Sequence, residues 1–245
     1  MSMHKLSSMI LAAALFALAA PLSAYGGFIP PNLPVGSKYE IAFVTRTPTT
    51  ATSPYIADYN AFVTLQAQQN SNLPHGGGIT WHAIASTWEN GNIQGANQNA
   101  PFTSSIPVYN TQGQLVANAA TPLYNVSGTI LNPISYDQFG NSDISYVWTG
   151  TYYDGTPDNP LGNGIYFGPP DIGISNITSF WLAGGTDIAT NVHPLYALSS
   201  PITVPEPGTL ALLAAGLLVV LRFGSMAKSV VHNKNGADQQ LGVGQ

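Results

Sequence analysis

Hydrophobic residues run unbroken near both ends of this chain, from Met9 to Ala20 and from Gly208 to Leu221, and fall in short bursts between them. The first burst, Lys38-Tyr39-Glu40-Ile41-Ala42-Phe43-Val44-Thr45, is rich in β-branched and aromatic side chains and predicts a strand. Ser53-Pro54 then reads as an N-cap followed by proline at the first helical position, with Asp58 near the positive end of the helix dipole. Ile56, Tyr59, Val63 and Ala67, with Phe62 alongside, recur at helical spacing and predict an amphipathic helix to about Gln69. Beyond the glycine loop at residues 76–78, Ile79 to Ser86 predicts a second strand, followed by a polar loop from Glu89 to Asn99. Ile106 to Tyr109 and Gln114 to Ala117 flank Asn110-Thr111-Gln112-Gly113, which reads as a hairpin turn ending in glycine. Further short strands are predicted at 144–149, 165–167, 179–182 and 195–198. The pattern describes an α+β domain: a short-stranded, mostly antiparallel sheet, one main helix and long loops, with no repeat of fixed period.

The unbroken runs behave differently. His4 and Lys5 precede the first, and Pro21-Leu22-Ser23-Ala24 supplies small residues after it, which is the layout of a cleavable signal peptide at residues 1–24. Residues 25–37, with Pro30, Pro31 and Pro34, read as a linker, and residues 38–203 as the folded extracellular domain. Val204-Pro205-Glu206-Pro207 ends that domain, because each proline lacks an N–H and fixes its own φ. The fourteen uncharged residues that follow, Gly208 to Leu221, are apolar on every helical face and suit lipid. At about 1.5 Å per residue they predict a C-terminal transmembrane helix of roughly 21 Å, short against a hydrocarbon core of about 30 Å. Arg222 closes it, and Lys228 and Lys234 place the polar tail, residues 223–245, on the cytoplasmic side.

Charge narrows the function. Between Thr47 and Pro205 there is no lysine or arginine, while eight carboxylates are present. With Lys38, Arg46 and Glu40 included, two basic side chains face nine acidic ones, a formal balance of −7 for the domain. Such a surface has no basic patch with which to neutralise phosphates, which makes nucleic acid a poor candidate partner. The chain has no cysteine, which removes thiolate chemistry and leaves packing to hold an exported fold.

The order Pro205-Glu206-Pro207, short apolar helix, Arg222 resembles the PEP-CTERM sorting signal of Gram-negative bacteria that make exopolysaccharide. That resemblance implies export through the inner membrane by the secretion machinery. It also implies recognition of a membrane-anchored precursor by exosortase, a membrane-embedded cysteine transpeptidase, and delivery to the cell surface or extracellular matrix. The family ends in a cluster of arginines, where this chain has Arg222 alone and then continues to Gln245. A second likeness covers residues 38–200. The succession Phe43-Val44-Thr45, Trp81 to Ser86, Pro107-Val108-Tyr109, Trp148-Thr149-Gly150-Thr151 with Asp154-Gly155-Thr156, and Phe180-Trp181 is similar in order to C-type-lectin-like, endostatin-related extracellular domains, which usually carry disulfides.

Candidate chemistry is sparse. Asp154, Asp158 and Asn159 in one loop, and Asp137, Asn141 and Asp143 in another, offer oxygen ligands for calcium; they also suit the capping of turns. Trp88, Tyr152 and Tyr153, in loop contexts rich in Asn, Asp and Gln, are candidates for stacking on sugar rings. His82 with Glu89, or with His75 and His193, has no diagnostic metal or acid–base spacing, and no nucleophile elbow or phosphate loop occurs. No catalytic residue is singled out. These readings predict a non-enzymatic surface or matrix protein that binds exopolysaccharide or other glycans; a hydrolase acting on polysaccharide or another polymer is the alternative.

Overall fold

Lys38–Val44 forms strand β1, and every residue after Lys38 in it is buried. That is the signature of a strand covered on both faces, and it explains why this burst is nearly continuous rather than alternating polar and apolar. The computed structural model describes residues 28–89, 91–162 and 168–206. The predicted signal peptide, the strand at 165–167, the transmembrane helix, Pro207, Arg222 and the tail lie outside the described residues. Among the described residues no helix is long and apolar enough to cross a membrane.

β1 sits inside a six-stranded sheet with β2 (Trp81–Ala83), β5 (Val108–Asn110), β6 (Leu115–Ala117), β10 (Tyr196–Ser199) and β11 (Ile202–Thr203). The order is β2-β10-β1-β5-β6, with β11 pairing the start of β1. Among the described pairings between strands, only β1 with β5 is parallel. A hairpin of β3 (Thr87–Glu89) and β4 (Asn92–Gln94) and a three-stranded sheet of β7 (Tyr146–Trp148), β8 (Asp171–Ile174) and β9 (Gly185–Thr186) complete the strands. The α+β reading holds.

Alternation along the strands divides the interior in two. Tyr39, Ile41 and Phe43 point to one face, with Trp81, Ala83 and Ala197, and are covered by helix α1 (Ile56–Gln68) through Ile56, Tyr59, Val63 and Ala67. Phe43 meets Trp81 edge-on at 5.1 Å between ring centroids. Ala42 and Val44 point to the other face with Ile84, Tyr196 and Leu198, covered by helix α2 (Ala96–Asn99) and by Leu123, Ile134, Trp181 and Leu182. The described residues from 28 to 204 form one compact unit around these two clusters.

The differences from expectation have local causes. α1 starts at Ile56, with Tyr55 as N-cap, rather than at Pro54. Ser53 instead accepts from the Tyr55 N–H and donates to the Asp58 carboxylate at 2.5 Å, forming a turn ahead of the helix. The predicted loop from Glu89 contains β4 and α2, because Asn99 satisfies its polarity inward: its amide donates to the Ala83 carbonyl and to Asn60 Oδ1. Ser179 to Leu182 is a bend rather than a strand, while the unpredicted β8 precedes it. Gly173 in β8 explains that exchange, since a Cβ there would collide with the Trp181 carbonyl oxygen.

Candidate functional site

Thr149 and Thr151, both fully buried, fasten the end of β7 to its neighbours. The Thr149 and Gly150 N–H groups donate to the Asp171 carbonyl, Thr149 Oγ1 donates to the Leu182 carbonyl at 2.5 Å, and Thr151 Oγ1 lies 2.9 Å from Ser86 Oγ. From this anchor the chain enters a tight turn. The Tyr152 N–H donates to the Thr156 carbonyl, the Gly155 N–H donates to the Tyr152 carbonyl, and Asp154 Oδ1 accepts from both the N–H and the hydroxyl of Thr156. Asp154 thus caps its own turn, and those two bonds hold its carboxyl below the usual range.

The turn carries two adjacent aromatic rings to the surface. Tyr152 is exposed, and its ring centroid lies 5.0 Å from that of half-buried Tyr153. Tyr153 is fixed by its hydroxyl, which donates to the Ala183 carbonyl at 3.0 Å, and by Gly128, where any Cβ would lie 2.6 Å from the ring. A third ring, Phe180, stands 6.3 Å from Tyr153 and is 52 % exposed. Its backbone has φ of +59°, in the left-handed region that bulky residues avoid. The cause lies on both sides of it. Trp181 is driven fully into the core against Tyr196, and the Phe180 carbonyl accepts from the Ile174 N–H, so the chain must turn sharply at Phe180. The ring that results faces water. Tyr152, Tyr153 and Phe180 form an aromatic platform of rings inclined at 48° and 66° between neighbours, with Asp154 and Thr156 in the same turn as the two tyrosines. Such rings stack on the apolar faces of sugars while polar neighbours take hydroxyls.

The other predicted residues are placed as follows. Trp88 lies half-buried in β3, not in a loop. Asp137 is buried, its Oδ1 accepting from the N–H groups of Phe139 and Asn141 and its Oδ2 from the Asn141 amide. Asp143 accepts from the Ser145 hydroxyl. Asn159 donates through its backbone and its amide to the two oxygens of Asp171, a residue that sequence reasoning passed over. Burial pushes the Asp171 carboxyl up to about 6 against these bonds, and the neighbouring Asp158 carboxylate pushes the same way. Among the described residues no three His, Asp or Glu side chains come together as a metal site.

The histidines do not converge. His75 bonds the Leu73 carbonyl and His193 pairs with Asp187 at 2.6 Å, its ring edge-on to Trp148. His82 lies opposite Trp81, as alternation requires, with Nε2 3.0 Å from Thr80 Oγ1 and Nδ1 buried without a hydrogen-bond partner. Burial holds its imidazole below the ordinary range, and the nearby Asn99 side chain opposes that shift. On the same sheet face Glu40 is 2 % exposed with Oε2 unpartnered, and burial pushes its carboxyl up to about 8. Its strand composition gave no sign of this.

At the end of the domain, Thr203 is still in the ladder opposite Lys38, and Val204 exchanges backbone hydrogen bonds with Gly36 and Ser37. Pro205 and Glu206 follow, both exposed. A family model described as the PEP-CTERM protein-sorting motif matches residues 203–224. The match begins at the last residue of the sheet. No curated protein matches the chain, and the expected likeness to C-type-lectin-like domains finds no support. The chain carries a sorting motif of exported proteins, which are held at the membrane as precursors and processed by exosortase.

Proposed function

We propose that the folded domain is a non-enzymatic glycan-binding module that retains the sorted protein among exopolysaccharides at the cell surface or in the extracellular matrix. The observation that carries this reading is Phe180. A bulky residue held at φ of +59° with its ring in water, beside two more rings, is a backbone strain that stability alone does not reward. The sorting motif supports the setting, since export delivers the domain to a carbohydrate-rich environment. Binding of oligosaccharides by the full chain, compared with Tyr152→Ala, tests it. Loss of about tenfold in affinity on removing that ring supports stacking, and unchanged affinity removes the platform from the binding site.

A specific observation favours the alternative, a polysaccharide hydrolase: the carboxyl of Asp171, pushed up to about 6, lies beside that of Asp158. General acid work needs a carboxyl protonated near neutral pH next to one that is ionised. Both Asp171 oxygens, however, already accept from Asn159, which is the task of a positioning carboxylate. Polymer breakdown by the full chain that is abolished in Asp158→Asn would establish the hydrolase in place of the binding module.

A further inference from the structure

Stacking explains why a sugar ring would settle on Tyr152 and Phe180, but it does not choose among sugars. Charge does. No lysine or arginine occurs between Thr47 and Pro205, so none lies in the segments that build the platform, residues 125–128, 152–156 and 180–183. The two cations of the domain lie outside these segments. Arg46 stacks over Phe139 at 5.6 Å, and Lys38 starts β1 opposite Thr203. Asp154 sits in the same five-residue turn as Tyr152 and Tyr153, its position fixed by Thr156 and by the Asn97 amide on its carbonyl. A chain of uronic acids or sulfated sugars laid along these rings would bring a row of negative charges to segments whose one charged side chain is the Asp154 carboxylate.

Resting on the glycan-binding reading, we infer that the platform selects cationic amino-sugar chains and rejects acidic polysaccharides. The ring face of a glucosamine unit stacks on Tyr152 or Phe180, and its ammonium group is drawn to the Asp154 carboxylate. The Asp154 carboxyl is held below its usual range, so it remains ionised at mildly acidic pH, where sugar amines are fully protonated. Neutral sugars keep the stacking term and lose the charge term. Uronic acids keep stacking and gain repulsion.

The test uses the purified full chain and three oligomers of equal length, one of glucosamine, one of glucose and one of uronic acid. Affinities are measured at mildly acidic pH in low salt and again in about 1 M salt, where the Debye length is about 3 Å. The expected order in low salt is glucosamine, then glucose, then uronic acid, with about tenfold between the extremes. In high salt the three affinities converge on that of glucose. Asp154→Asn is expected to bring glucosamine binding down to that of glucose measured with the same variant, whereas Tyr152→Ala weakens all three. Uronic acid bound as tightly as glucosamine, with the Tyr152→Ala loss intact, overturns the charge selection alone. Absence of binding to every oligomer, or indifference to Tyr152→Ala, overturns the underlying reading as well.

Discussion

Glu40 illustrates how a single residue can set the chemistry of a core. Its neighbours in β1 pack on both faces, its Oε2 lacks a partner, and its carboxyl is pushed up to about 8 from an ordinary 4.5. The unfolded chain therefore releases this proton at a lower pH than the folded one. The stability Glu40 contributes as a neutral acid is fully present below about pH 4.5 and is lost as pH rises through 8. Glu40→Gln keeps the shape and removes the titration. Urea unfolding across pH 5 to 9 is expected to show the wild type weakening by on the order of a few kcal/mol relative to Glu40→Gln. Parallel profiles for the two proteins would show that the carboxyl finds solvent or a cation in the fold. Ala42 and Val44 mark the second face of β1 as covered, but Glu40, next to exposed Lys38 at the start of the strand, reads as the point where that face still meets water.

At the scale of elements, the legible parts were those where local composition and tertiary fate agree. β1, α1 and the hairpin of β5 and β6 fall where the β-branched runs, the helical period and Asn110 to Gly113 place them. The bend at Ser179 to Leu182 was misread because Phe-Trp-Leu is as apolar as any strand, while its partner β8, Asp-Ile-Gly-Ile, is not. Their arrangement depends on Gly173, over which the Trp181 backbone passes too closely for any side chain. Gly173→Ala is expected to cost about 3 kcal/mol or more, seen as a fall in the unfolding midpoint, since backbone cannot yield as a side chain can. A loss below about 1 kcal/mol would mean that the bend and β8 separate readily. The platform was legible only in part for the same reason. Tyr152 and Tyr153 lie in an obvious loop, but Phe180 looked like a core residue beside Trp181, and only the turn forced between them sends its ring outward.

For the whole molecule, the division of labour was written most plainly in its C-terminal part. β11 closes the domain against the start of β1, Val204 is the last of the described residues bonded to it, and the sorting motif overlaps this end, starting at Thr203. Replacing Pro205, Glu206 and Pro207 together by alanine is expected to leave the domain's unfolding midpoint unchanged, because Pro205 and Glu206 are exposed. In the cell the same variant is expected to accumulate as unprocessed, membrane-associated precursor, detected by fractionation and by mass. Normal processing of that variant would mean that the sorting machinery reads other residues.

The burial of Trp181 accounts for the sharp turn at position 180 but not for a phenylalanine rather than a glycine there, and Phe180→Gly tests whether binding does. Glycine adopts a φ of +59° without strain, so the variant is expected to be more stable by about 0.5–1 kcal/mol. The decisive measurement is its affinity for the oligosaccharide that the wild-type chain binds. A folded, stabilised variant with affinity reduced about tenfold is the predicted result. A stabilised variant that binds as tightly as wild type would contradict the assignment of the exposed ring to glycan recognition.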